Sequence, residues 1–181
     1  MRKVFLSIIF LSFLTTISLA QPSIKAGLNI AESTNVGFVG LNPTLEVEQR
    51  LISNISANVT LNGFWDFNQV EEYEPLFKEK SYHRSFYSDL GLNIKIIDKA
   101  VDWSIGAGGS YQVGVEKYVD TAGWRDGQLQ FYDTRKTNFS RFGILISNTI
   151  GFGKVVNLNI NIYRFNFWGE YMSIGTSFNL Y

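Results

Sequence analysis

The chain has 181 residues with 16 basic and 16 acidic side chains, so no net field steers it toward nucleic acid or an acidic partner. It contains no cysteine, which excludes both a disulfide framework and a lipid-modified N-terminal cysteine. Aromatic residues at 15%, 16 Gly and only 3 Pro favour sheet over helix in an exported chain.

Export is read from the first residues. Arg2 and Lys3 form a basic head, Val4 to Leu14 is an almost unbroken apolar run, and Ser18-Leu19-Ala20 is a small-residue cleavage pattern before Gln21-Pro22. That is the layout of a secretory signal, and the apolar run falls short of the about 20 residues a spanning helix needs. Residues 1–20 are expected to be a signal peptide and residues 21–181 one domain.

Beyond residue 23 the side chains alternate with period two, as on strands with one apolar face. The first run sets Ile24, Ala26, Leu28 and Ile30 against Lys25, Gly27 and Asn29; the second sets Val39, Leu41, Leu45 and Val47 against Gly40, Asn42, Thr44, Glu46 and Glu48. Pro43 lies inside that second run and has no N–H for a ladder, so a bulge or local break is expected there. The third run carries Ile55, Ala57, Val59 and Leu61, and the fourth Phe86, Leu90, Leu92, Ile94 and Ile96. The later runs are Trp103 to Val115, Phe142 to Ile150, Val156 to Ile162, and Met172 to Leu180. Eight strands of roughly 10 to 14 residues are predicted, long for a soluble sheet and suited to a tilted spanning strand.

The connections alternate in length as well. Those at Arg50–Asn54, Asp98–Asp102 and Gly153–Lys154 are tight, whereas Asn68–Arg84 and Lys117–Asn138 are long, polar and expected to be loops. Short turns on one side and long loops on the other are the usual asymmetry of a spanning barrel. The outer connections near Glu32–Asn35 and Phe167–Glu170 are short, so a lopsided mouth is predicted.

The polar face decides between a membrane barrel and a soluble sheet. It is mainly Asn, Ser, Gly and Thr, small groups that suit a crowded interior. Its charges, Lys25, Glu46, Glu48, Asp89, Lys95, Glu116 and Arg141, have mixed sign and are expected to pair as a lumen polar network. The apolar face carries almost no charge, as expected where an Arg or Lys at mid-bilayer costs about 2–4 kcal/mol. Trp65, Phe67, Phe86, Trp103, Tyr111, Phe139, Phe152, Phe165, Phe167, Trp168 and Tyr171 cluster near predicted strand ends, like an aromatic girdle.

On these grounds the mature chain, ending in Tyr171-Met172-Ser173-Ile174-Gly175-Thr176-Ser177-Phe178-Asn179-Leu180-Tyr181, resembles the small outer-membrane β-barrel proteins of Gram-negative bacteria. Its Asn-, Ile- and aromatic-rich style looks like barrels from Bacteroidota. The final residue departs from the family's pattern, because Tyr181 falls out of phase with Phe178 and Leu180. The resemblance implies an all-β fold, a closed antiparallel up-and-down transmembrane barrel of eight strands. It also implies location in the cell outer membrane, contact with outer-membrane lipids and lipopolysaccharide, and insertion by the barrel assembly machinery.

No motif for chemistry stands out. His83-Arg84-Ser85 puts the chain's one imidazole and a hydroxyl on the same side of an extended segment. This is similar to the His-x-Ser of outer-membrane lipid A deacylases, but Phe86-Tyr87-Ser88 replaces the segment that follows there and no third carboxylate is identified. A solvated loop histidine is the expectation. Glu71, Glu72, Glu74 and Glu79 match no defined calcium loop and are read as a solvated charge run, so no metal and no cofactor is expected. Gly106-Ala107-Gly108-Gly109 lacks the Lys and helix of a phosphate loop; its small residues are expected to relieve crowding in the lumen. Trp124, Arg125, Phe131 and Tyr132, in the second long loop, are the residue types favoured in contact surfaces.

The expected protein is thus a non-enzymatic outer-membrane barrel that serves membrane integrity or surface interaction through its long loops. The alternatives are a soluble, lipocalin-like barrel binding an apolar ligand in the periplasm and a lipid A-modifying hydrolase. Barrel and lipocalin predict opposite directions for the apolar face, outward in one and inward in the other.

Overall fold

The computed structural model of the chain describes residues 22–33, 38–67, 82–125, 128–153, 155–165 and 169–180. Among them are eight strands: β1 (Ser23–Ser33), β2 (Phe38–Ile52), β3 (Ile55–Asp66), β4 (Tyr82–Ile97), β5 (Val101–Arg125), β6 (Gln128–Phe152), β7 (Val156–Phe165) and β8 (Gly169–Asn179). Each pairs antiparallel with its neighbour in sequence, and β1 pairs with β8 to close the barrel. Closure removes the open edge that a flat sheet would expose, so the backbone of the wall bonds internally on both sides of every strand.

The period-two pattern resolves into two faces. Leu28, Leu45, Val59, Leu90, Ile146, Ile162 and Ile174 are exposed on the outside. Asn29, Asn42, Asn58, Thr60, Asp89, Gln112, Asn157 and Ser177 are buried inside. This is the reverse of a lipocalin-type barrel, which would turn its apolar residues inward. An outer wall of this kind is stable only against an apolar medium, because each exposed Leu or Ile forgoes about 1.5–3 kcal/mol of burial in water.

The connections between the strands share out as expected, with one difference. The turns after β2, β4 and β6 are tight and lie at the same end as residues 22 and 180 (the base); after β6, Gly153 takes the left-handed conformation, φ 66°, that favours glycine. At the other end (the mouth), Lys117–Asn138 is not a loop. β5 and β6 pair without leaving the sheet from Val101↔Phe152 to Arg125↔Gln128. Among the described residues the pairing of β4 with β5 reaches Tyr82↔Lys117, and that of β6 with β7 reaches Gly143↔Phe165. Beyond these pairs β5 and β6 continue as a two-stranded ribbon, and eight residues of β5 at about 3.4 Å each extend it roughly 27 Å along the strand. Of the other long connection, Tyr82 to Arg84 belong to β4, and residues 68–81 lie outside the described residues.

At Pro43 the expected interruption is confined to the ladder with β3. The β1–β2 register passes through Leu28↔Pro43 without a shift, and the β2–β3 register is the same at Leu41↔Trp65 and at Thr44↔Asn62. The Gly63 carbonyl opposite Pro43 instead accepts from Asn42 Nδ2 at 2.7 Å. The β2–β3 ladder lacks its rungs at Asn42 and Pro43, the local break expected there, and the side-chain amide stands in for the missing N–H so that the register is kept without a bulge.

Candidate functional site

The inward side chains build three layers. At the base, the pairing Lys25↔Glu46 places alternate residues of β1 and β2 side by side on the inner face. Lys25 Nζ donates to Glu46 Oε1 at 2.8 Å and to Glu48 Oε2 at 2.5 Å. The Ser56 hydroxyl donates to the other Glu48 oxygen. Lys95 is not part of this group; it lies nearer the rim of the base, 3.4 Å from Asp98 and 3.6 Å from Asp102.

The middle layer is amide-rich around Asp89. Asp89 Oδ2 accepts from Asn62 Nδ2 at 2.7 Å and from the Tyr163 hydroxyl at 3.1 Å. Asn29 Nδ2 donates to Asn42 Oδ1 at 3.1 Å. Asn29, Asn62, Asp89 and Tyr163 line a cavity of 30 Å³, which suits one or two water-sized occupants. Glycine keeps this layer thin: a Cβ on Gly106 would meet Asn93 Oδ1 and Ser147 Oγ. Gly106 thus plays the role expected of its segment, whereas Ala107 and Gly109 are exposed on the outer side and relieve no crowding in the lumen.

The mouth layer differs from the expected lining of small side chains. Phe38, Phe64, Tyr87, Tyr163, Phe165 and Tyr171 are buried there and close the lumen with rings. His83 sits among them with no exposed surface, so it is neither in a loop nor solvated. Its ring stacks on Phe139 at 5.1 Å and meets the edge of Phe64 at 5.4 Å. Its Nε2 shares a hydrogen bond of 2.6 Å with the Tyr171 hydroxyl, and its Nδ1 faces Glu116 at 3.6 Å. Glu116 in turn pairs with Arg141 at 3.4 Å, whose guanidinium lies 4.2 Å over the Phe139 ring.

Two expectations change here. Phe139, Phe165 and Tyr171 belong to this inner cap and not to an outer girdle. Among the described residues the exposed aromatic ones are Trp65, Phe67, Phe86, Tyr111 and Phe142 toward the mouth and Phe152 and Phe178 toward the base. Trp103, on the outer side and partly buried, donates from its indole to Asn148 Oδ1 at 2.8 Å. Phe167 and Trp168 lie outside the described residues. Further, His83 and Ser85 share the inner face but do not form a base–nucleophile pair. Ser85 Oγ accepts from Gln112 Nε2 at 2.9 Å, while His83 is engaged by Tyr171 and Glu116. The carboxylates Glu71, Glu72, Glu74 and Glu79 lie outside the described residues.

On the ribbon, Gly123↔Phe131 and Ala122↔Tyr132 are paired rungs, and Trp124 and Arg125 occupy the next two positions of β5. The four residues singled out in the sequence therefore lie within the last rungs of one hairpin. Asp126-Gly127 between the strands is the two-residue hairpin signal that identifies such a ribbon from sequence. Asp133, Arg135 and Lys136 are exposed lower on β6 and put charge along its open edge, which discourages indiscriminate strand pairing.

No family model and no curated protein matches the chain. Solved structures do. Neisserial surface protein A (NspA) superposes with a TM-score of 0.55 at 12% identity, over 87% of this chain and 95% of that one. The N-terminal β-barrel domain of Pseudomonas aeruginosa OprF gives 0.52 at 10% identity, over 88% and 100%. The chain thus has the fold of the small eight-stranded outer-membrane barrels.

Proposed function

We propose that the protein is a non-enzymatic barrel of the cell outer membrane that supports the membrane and presents the β5–β6 ribbon as a contact surface. The observation that carries this reading is an apolar outer wall closed around a polar, plugged lumen, with one hairpin continuing beyond its neighbours' pairing among the described residues. On this reading residues 1–20 direct export and are removed, and the barrel assembly machinery inserts residues 21–181. Lipid and lipopolysaccharide meet the wall, and Trp124, Arg125, Phe131 and Tyr132 meet a surface partner. The charges of Lys25, Glu46, Glu48, Asp89, Glu116 and Arg141 hold the interior in register, and Lys95 pairs nearer the rim of the base. The name of the Neisserial barrel, a surface protein, agrees with a surface role. The Asn- and Ile-rich strands suit a Bacteroidota source.

Membrane fractionation followed by unheated and heated gel electrophoresis tests the assignment. The chain is expected in the outer-membrane fraction with a heat-dependent shift in mobility. Recovery in soluble fractions without that shift overturns it. Protease added to intact cells is expected to cut between residues 118 and 135 and leave the barrel whole.

A further inference from the structure

We propose that the central lumen binds a monovalent hard cation, of the sodium or potassium class, as the counter-ion of Asp89. Asp89 is 2% exposed, and no Lys, Arg or His among the described residues forms an ion pair with it. Lys25, the basic residue lining the same cavity, is shared by Glu46 and Glu48. An ionised carboxylate held in this way lacks compensation. Asp89 Oδ2 accepts two hydrogen bonds, and the further polar group beside the carboxyl is the uncharged hydroxyl of Ser110, its cross-strand neighbour, so the surroundings supply dipoles and no positive charge.

The amides around Asp89 have the same bias. Asn62 is oriented by donating Nδ2 to Asp89, which leaves its Oδ1 without a donor. Asn42 is oriented by donating to the Gly63 carbonyl, so its Oδ1 takes the Asn29 amide and Asn29 Oδ1 is left unpartnered. Asn58 Oδ1 is unpartnered as well. Asn29, Asn58, Asn62 and Asp89 are all more than nine-tenths buried and line the 30 Å³ cavity. Oxygen acceptors without donors, gathered around one uncompensated negative charge, form a ligand set for a hard cation. Of the charged residues that line the cavity, Lys25 and Glu46 offset each other and Asp89 remains, so one positive charge balances the lining, whereas Glu48, the second partner of Lys25, lies outside it.

The test uses the purified full-length barrel in detergent, with its thermal midpoint measured in sodium, potassium or choline chloride at equal ionic strength. Choline is too large for the cavity. Sodium or potassium is expected to raise the midpoint by several degrees over choline and to saturate. Asp89→Asn is expected to lose that gain, and Asp133→Asn on the ribbon to keep it. Crystals of the unaltered protein soaked in a thallium(I) salt are expected to give an anomalous peak beside Asp89, independently of how any variant folds. Equal midpoints in sodium, potassium and choline overturn the proposal. So do a gain that survives Asp89→Asn, a stabilisation by calcium alone, or thallium crystals without a peak at Asp89.

Discussion

The base and the mouth of the lumen solve one problem by opposite means. Both fill the inside of an eight-stranded barrel, where side chains leave no open channel. The base does so with short polar residues and a Lys25–Glu46–Glu48 ion cluster. The mouth does so with aromatic rings packed around one histidine. An ionic plug is rigid in its composition, because removing one partner strands the others. A ring plug is tolerant, because rings of similar volume exchange and the contacts are many and individually small.

The largest expected effect is therefore at the base. Lys25→Met leaves two carboxylates facing each other, and about 3 kcal/mol of stability should be lost in urea unfolding of the lipid-inserted barrel, the low end for breaking a buried pair. A triple change that also converts Glu46 and Glu48 to Gln should recover most of that loss. A loss equal to that of a neutral lumen substitution would contradict the ionic account. In the mouth, Phe64→Leu keeps a large apolar side chain among the rings and should cost less, under about 1.5 kcal/mol by the same measurement. Tyr171→Phe keeps the ring and deletes one hydrogen bond to His83. It should cost about 1 kcal/mol and change the imidazole nitrogen resonances, which report the partner of Nε2. An unchanged spectrum would separate Tyr171 from His83. The smallest effect should come from the ribbon. Replacing residues 120–133 with a two-residue Asn-Gly turn between the paired Val119 and Thr134 should alter barrel stability by less than about 0.5 kcal/mol. If the barrel falls apart instead, the ribbon is part of its fold and not an appendage.

The sequence was most legible where physical chemistry acts locally. Leu90 between Asp89 and Gly91 states its direction by parity alone, and so did nearly every wall residue. The short base turns at Arg50–Asn54 and Asp98–Asp102 were equally plain. Legibility failed where parity ends. Phe165 and Tyr171 lie near strand ends, and Phe139 lies near the expected start of a strand that in fact begins at Gln128; an aromatic residue at such a place suits a girdle or a plug, and phase over a short terminus does not separate the two. The ribbon was missed because polarity suggested a loop, although Asp126-Gly127 offered a turn. Pro43 announced the break in the ladder, but not that the register survives it, because the amide of Asn42 that bridges the gap acts across to β3 and not along β2.

Alone, then, the alternation of residues determined the strands, their two faces and an apolar exterior, because the pleat makes direction a property of odd and even positions. Tertiary structure decided which inward residues meet. His83 and Tyr171 are 88 positions apart and become neighbours inside the closed barrel. The same closure gathers Asn29 of β1, Asn62 of β3 and Asp89 of β4 around one cavity. Register and closure set those encounters, and neither is written in the period of any single strand.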